Sequence, residues 1–173
     1  MEQIEPKNLK QLLDFVYSAH QEHNTNKDFR QQGKVPFIVH PMWCALTLLH
    51  DQRIPFEERK LGYQILLLHD VLEDTGLALP DDLDKKVIDG VKEMTFENWE
   101  QEKNQLENKP IFIKLLKLVD KIASMYDENV RPDATKRREW KEVTQKLLTD
   151  VENHYGNIRL VILAKAILNA SNW

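Results

Sequence analysis

A chain of 173 residues is long enough for one domain with a substantial core and too short for two catalytic domains. Hydrophobic residues make up 42% of it while glycine and proline number only 5 and 7, a balance that favours helices joined by short turns over a many-turned β protein. The net charge of −4 argues against a general nucleic-acid binder while leaving room for a local basic pocket, and the single cysteine, Cys44, rules out a disulfide framework.

The first ten residues, MEQIEPKNLK, carry no signal-peptide pattern, and the longest apolar runs fall far short of a membrane span. The expected setting is therefore cytoplasmic, with no membrane and no nucleic acid as partner. A first helix is predicted from Pro6, which suits a first helical position, to near His23, with Leu9, Leu12, Leu13, Val16 and Ala19 on its apolar face. Residues 24–39 mix turn formers with Lys27, Arg30 and Lys34, then become a short extended segment leading to His40. This basic loop is either simply solvated or a place to hold an anion.

Because His40 precedes Pro41, its backbone is expected to be extended at the entry to a helix over 42–52. After the break at Ile54 and Pro55, a helix over 56–74 contains the stretch LGYQILLLHDVLEDT and is stopped by Thr75 and Gly76. At about 100° per residue, His69, Asp70, Glu73 and Asp74 fall within one arc of about 140°, next to an apolar helix built from Ile65 to Leu68. Three carboxylates and an imidazole crowded beside a core need a positive partner, and a divalent metal ion is the most economical one. The alternative is a solvated acidic last turn.

Pro80, Asp81 and Asp82 open a helix over 81–94, and the polar residues 95–108 suggest a short exposed helix. Pro110 then starts IFIKLLKLVDKIASMYD, where Lys114, Lys117, Lys121 and Ser124 form one narrow polar stripe. Asp120 lies off that stripe, between Ile113 and Leu116 in the apolar arc, where an unpaired carboxylate would cost several kcal/mol. A lysine, a histidine or a metal ion would neutralise it. Further helices are predicted over 134–154, closed by Gly156, and over 158–169, so 1–173 reads as a single all-α domain of seven or eight helices.

Together His40, His69, Asp70 and Asp120 supply two imidazoles and two carboxylates, a mixed donor set suited to Mn²⁺, Fe²⁺, Co²⁺ or Zn²⁺. Their order, His, then His-Asp, then a distant Asp, resembles the HD superfamily of metal-dependent phosphohydrolases. The stretches GKVPFIVHP at 33–41, LLLHDVLEDT at 66–75 and KLVDKIASM at 117–125 resemble the hydrolase domain of the RelA/SpoT homologues and the stand-alone Mesh1-like small alarmone hydrolases. Ala19-His20 and VIDGVKEMT at 87–95 are also similar to segments of that family. The resemblance implies an all-α fold, His40, His69, Asp70 and Asp120 as metal ligands with Mn²⁺ the usual ion, and Glu73 and Asp74 as the acidic pair acting on water. It further implies a nucleotide substrate, (p)ppGpp, whose 3′-diphosphate leaves as pyrophosphate. His20 would stand near the site as support.

The chain departs from the family where a nucleotide is contacted. Ser124 stands where Asn is usual, Phe37 and Val39 replace Tyr and often Asn, and Lys27 or Arg30 would take the part of an Arg-Lys pair. Lys121, with Lys117 and Arg131, either faces the pocket to hold phosphates or belongs to a solvated face. Two further readings stand beside alarmone hydrolysis: the same chemistry on another nucleotide or phosphorylated metabolite, and a module that binds metal and nucleotide without turnover.

Overall fold

The computed structural model describes residues 6–23, 29–30, 35–126 and 133–170. Among them are eight α-helices: α1 (Pro6–His23), α2 (Val39–His50), α3 (Phe56–Leu68), α4 (Lys85–Met94), α5 (Trp99–Gln105), α6 (Ile111–Tyr126), α7 (Ala134–Tyr155) and α8 (Arg159–Ala170). Two short antiparallel strands, β1 (Phe29–Arg30) and β2 (Val35–Pro36), pair Arg30 with Val35 just before α2. The all-α class expected from composition is the one observed. No described helix is long and apolar enough to cross a membrane.

The bundle is arranged about α6, which packs against α2, α3, α4, α7 and α8. Leu115, Leu116, Leu118, Val119 and Ile122 on this helix are all fully buried, because its apolar residues cover most of its circumference. Helix α3 lies between α2 and α4 and delivers its C-terminal end to the site. Gly62 permits the close approach of α2 and α3: a Cβ there would overlap Leu48 and stand 3.0 Å from Leu116 Cδ2. Far from the site, buried Asp51 accepts the N–H of Leu160 through Oδ2 at 2.7 Å, satisfying one of the free donors at the start of α8.

Three boundaries differ by three residues or more from those expected. Helix α2 begins at Val39, so His40 is already helical although it precedes Pro41; its N–H donates to the Phe37 carbonyl at 3.0 Å. Proline is tolerated at the third helical residue because N–H groups of the first turn have no intrahelical acceptor, and burial of His40 and Pro41 offsets the steric cost before proline. Helix α4 starts at Lys85 because Asp84, not Asp81 or Asp82, caps it by accepting the Lys86 N–H at 2.8 Å. Helix α3 stops at Leu68, and the predicted continuation to Asp74 is a turn at His69 and Asp70 followed by a π-helical turn, Val71–Thr75. Gly76, at φ +68°, ends it in the left-handed conformation that glycine adopts without strain.

Replacing Gly62 with alanine should force α2 from α3 because Leu48 and Leu116 are both fully buried and have no room to yield. The expected loss is about 1–3 kcal/mol of folding stability, measured by urea denaturation.

Candidate functional site

Three elements meet at one buried cluster. The start of α2 contributes His40, the turn that follows α3 contributes His69 and Asp70, and the middle of α6 contributes Asp120. His40 Nε2 lies 3.2 Å from Asp120 Oδ1 and 3.6 Å from Asp70 Oδ2. His69 Nε2 lies 3.0 Å from Asp70 Oδ1 and 3.6 Å from Asp120 Oδ1. Donor atoms of His40, His69 and Asp120 all lie within 4.8 Å of one another, a spacing that could hold a metal ion, and Asp70 reaches both imidazoles.

The chemistry of the cluster fits a cation. His69 Nδ1 is 2.7 Å from the Leu66 carbonyl, so that nitrogen carries the hydrogen and a neutral ring directs the Nε2 lone pair at two carboxylates. A lone pair facing carboxylates is repulsive unless a proton or a metal ion stands between them, and a metal-binding histidine commonly donates its other N–H to a backbone carbonyl in this way. Burial opposes the charged imidazole, yet Asp70 and Asp120 outweigh it and push His69 up to about 9. Burial likewise acts against ionised Asp120, but Lys117 and the adjacent imidazoles of His40 and His69 hold it well below the usual carboxylate range.

Support for His40 comes from the other side. His20 stacks on Phe37 with ring centres 4.2 Å apart, and Phe37 presents an edge to His40 at 6.3 Å. His20 thus stands one ring away from the cluster.

Glu73 and Asp74 follow on the π-helical turn, where the Asp74 N–H donates to the Asp70 carbonyl at 2.8 Å. This turn replaces the last α-helical turn predicted for them, an interruption of the kind that recurs at functional sites. Burial raises the Glu73 carboxyl to about 7, opposed by Lys117 and reinforced by Asp70 and Asp120. Because Glu73 as a whole is solvent-exposed, water tempers that rise.

The lysine stripe of α6 faces protein rather than solvent. Lys114 pairs with Asp150 of α7 at 2.7 Å, while Lys117, Lys121 and Ser124 are buried. Lys121 Nζ lies 2.7 Å from Glu102 Oε1 and within about 5 Å of the Trp99 and Trp140 ring centres. A solvated face is thereby overturned for Lys117 and Lys121. Lys27 and Arg131 fall outside the described residues, and Arg30 is placed by its backbone alone, on β1 opposite Val35.

Glu102 was hidden in a segment expected to be an exposed helix. It is 8% exposed and meets both Lys117 and Lys121, which hold its carboxyl below its ordinary value against the effect of burial. The available signal was its spacing, since Trp99, Glu102 and Leu106 recur at i, i+3 and i+7 and so share one helix face.

No family model matches the sequence, and no curated protein matches it. A solved structure described as "A metazoan ortholog of SpoT hydrolyzes ppGpp and plays a role in starvation responses" superposes with a TM-score of 0.72. The match covers 97% of this chain and 97% of that one at 21% sequence identity, so what the two share is the fold.

Folded Glu73 holds its proton more tightly than the unfolded chain, where the carboxyl has its ordinary value of 4.5. The stability this group contributes is therefore full below the unfolded value and is lost as pH rises through about 7. With a chelator present, Glu73→Gln should melt higher than the parent at about pH 8 and no higher at about pH 4, as read by thermal denaturation.

Proposed function

We propose that the chain is a metal-dependent phosphohydrolase of a nucleotide and, more finely, that it hydrolyses (p)ppGpp to release the 3′-diphosphate as pyrophosphate. The observation that carries this reading is the convergence of His40, His69 and Asp120 on one point, with Asp70 against both imidazoles. The shared fold supports it, since the neighbouring structure is that of a protein described as hydrolysing ppGpp.

In this proposal His40, His69, Asp70 and Asp120 are the ligands of one divalent ion. Mn²⁺ is favoured, and Fe²⁺, Co²⁺ and Zn²⁺ suit the same donors. When bound, the ion supplies polarisation of a phosphoryl oxygen and makes water more acidic. Glu73 takes a proton from the attacking water, a task suited to a carboxylate whose pKa is raised towards working pH. Asp74 orients that water. The water oxygen forms a bond to the phosphorus next to the ribose, the bond from that phosphorus to the 3′ oxygen breaks, and the 3′ oxygen takes up a proton.

Substrate contacts are assigned to Ser124 and to Lys27 or Arg30 in the loop before His40. Lys121 acts through its charge, because its ammonium is held by Glu102. Ser124 favours a second reading in which the same chemistry serves another nucleotide, since a hydroxyl offers a shorter reach and a different hydrogen-bond pattern from an amide.

A nucleotide panel incubated with protein and Mn²⁺, with phosphate and pyrophosphate assayed separately, tests the substrate. Pyrophosphate release from ppGpp is expected; turnover of another nucleotide alone would transfer the assignment, and turnover of none would leave a binding module. His69→Ala should lose both bound metal and activity. Glu73→Ala and Asp74→Ala should keep the metal while kcat falls about 10²–10⁴-fold, and near-parental kcat in the double variant would overturn the mechanism. Reversing the charge at Lys27 and Arg30 together should raise KM with little change in kcat, and an unchanged KM would return that loop to solvent.

A further inference from the structure

Asp120 presents its two oxygens to different neighbours. Oδ1 faces both imidazoles, at 3.2 Å from His40 Nε2 and 3.6 Å from His69 Nε2, whereas Oδ2 lies 3.4 Å from Lys117 Nζ. Lys117 Nζ is in turn 3.2 Å from Glu102 Oε1, and Lys121 engages both oxygens of the same carboxylate, 2.7 Å from Oε1 and 2.8 Å from Oε2. The Phe96 ring stands 5.1 Å from Lys117 Nζ, and Trp99 and Trp140 flank Lys121 at 5.3 and 4.9 Å. Lys117 and Lys121 are 3% and 4% exposed, so neither ammonium has solvent to turn to.

A lysine ammonium is a point charge on a flexible stem and has no geometry of its own to impose. Its place is dictated by the carboxylates on either side. We propose that Lys117, anchored by Glu102 of α5, is a positioning residue that keeps Asp120 Oδ2 engaged and so offers a cation at the His40 and His69 site a single Asp120 oxygen. The inference rests on the metal-site reading given above. Carboxylates bind divalent ions through one oxygen or both; with Lys117 removed, Asp120 Oδ2 loses its partner and turns to the ion. Glu102 has a second effect, because its negative charge offsets the repulsion between buried Lys117 and a bound cation. Without it, Lys117 competes with the ion for Asp120.

The test uses Mn²⁺ as the probe on the parent protein, Glu102→Gln, Lys117→Met and Lys117→Arg. Equilibrium dialysis reads affinity, the electron paramagnetic resonance spectrum of the metal-saturated protein reads the ligand field, and circular dichroism checks the fold. Glu102→Gln should weaken Mn²⁺ binding about 10–100-fold, the range typical of residues that orient metal ligands. Lys117→Met should alter the saturated spectrum, and Lys117→Arg, which restores a donor to Oδ2, should return it to the parental form. A merely structural role would leave the saturated spectrum unchanged. Parental affinity in folded Glu102→Gln, or a parental spectrum in saturated Lys117→Met, overturns the proposal. If Lys117→Met does not fold, the affinity of Glu102→Gln decides alone. Absence of Mn²⁺ binding by the parent protein is a separate result, which removes the metal site itself.

Discussion

Keeping Asp120 ionised inside the bundle is the constraint on which the rest of the site depends. A buried carboxylate is costly unless each oxygen has a charged or hydrogen-bonded partner, and here one oxygen has two imidazoles and the other an ammonium. Those partners impose needs of their own. Lys117 is held in its charged form against burial by Asp120 and Glu102, Glu102 is balanced by Lys121, and Lys121 finishes between two indole rings. The result is a seam of alternating charge running from α6 to the face where α5 and α7 meet. Its inner end carries more carboxylate than ammonium, which suits it to receive a cation.

The helices serve this seam by where they begin and end. Side chains within a helix point outward from one axis, so four donors can converge only if several elements aim at one point. Helix α2 supplies its first turn, the end of α3 leads into the turn that carries His69 and Asp70, and α6 supplies its middle, each backed by apolar packing that fixes direction. The change from α-helix to π-helical turn after Asp70 then separates two pairs of charged residues along one short stretch. His69 and Asp70 face inward to the cluster, while Glu73 is exposed and Asp74 partly so.

Helix α5 shows how much of the arrangement is carried by side chains rather than by backbone packing. It is a short element, and it is tied down by the Glu102 carboxylate between two lysines, by donation from Trp99 Nε1 to Glu139 at 2.9 Å, and by Lys103 bridging Glu100 and Glu139. Only the Glu102 contacts are buried. The Lys103 pairs, being partly exposed, contribute little to stability, so a large part of the hold of α5 on the bundle passes through Glu102 and the Trp99 ring packed on Trp140.

Helical periodicity, proline at helix starts and glycine at helix ends were enough to read the all-α class and most helix boundaries from the chain alone, whereas His40 joined the central cluster only through the family resemblance. Asp120 was legible because it interrupts an apolar face, and His69 with Asp70 because charges end an apolar helix. Such signals are local, written in spacing along one element. Glu102 and the inward direction of Lys117 and Lys121 were not legible, since a lysine stripe facing water and one facing a buried carboxylate have the same pattern. Residue spacing sets which side chains share a face of each helix; which face meets which, and hence whether a charge is solvated or paired, follows from the packing of the helices, because burial of an ion depends on neighbours brought from distant parts of the chain.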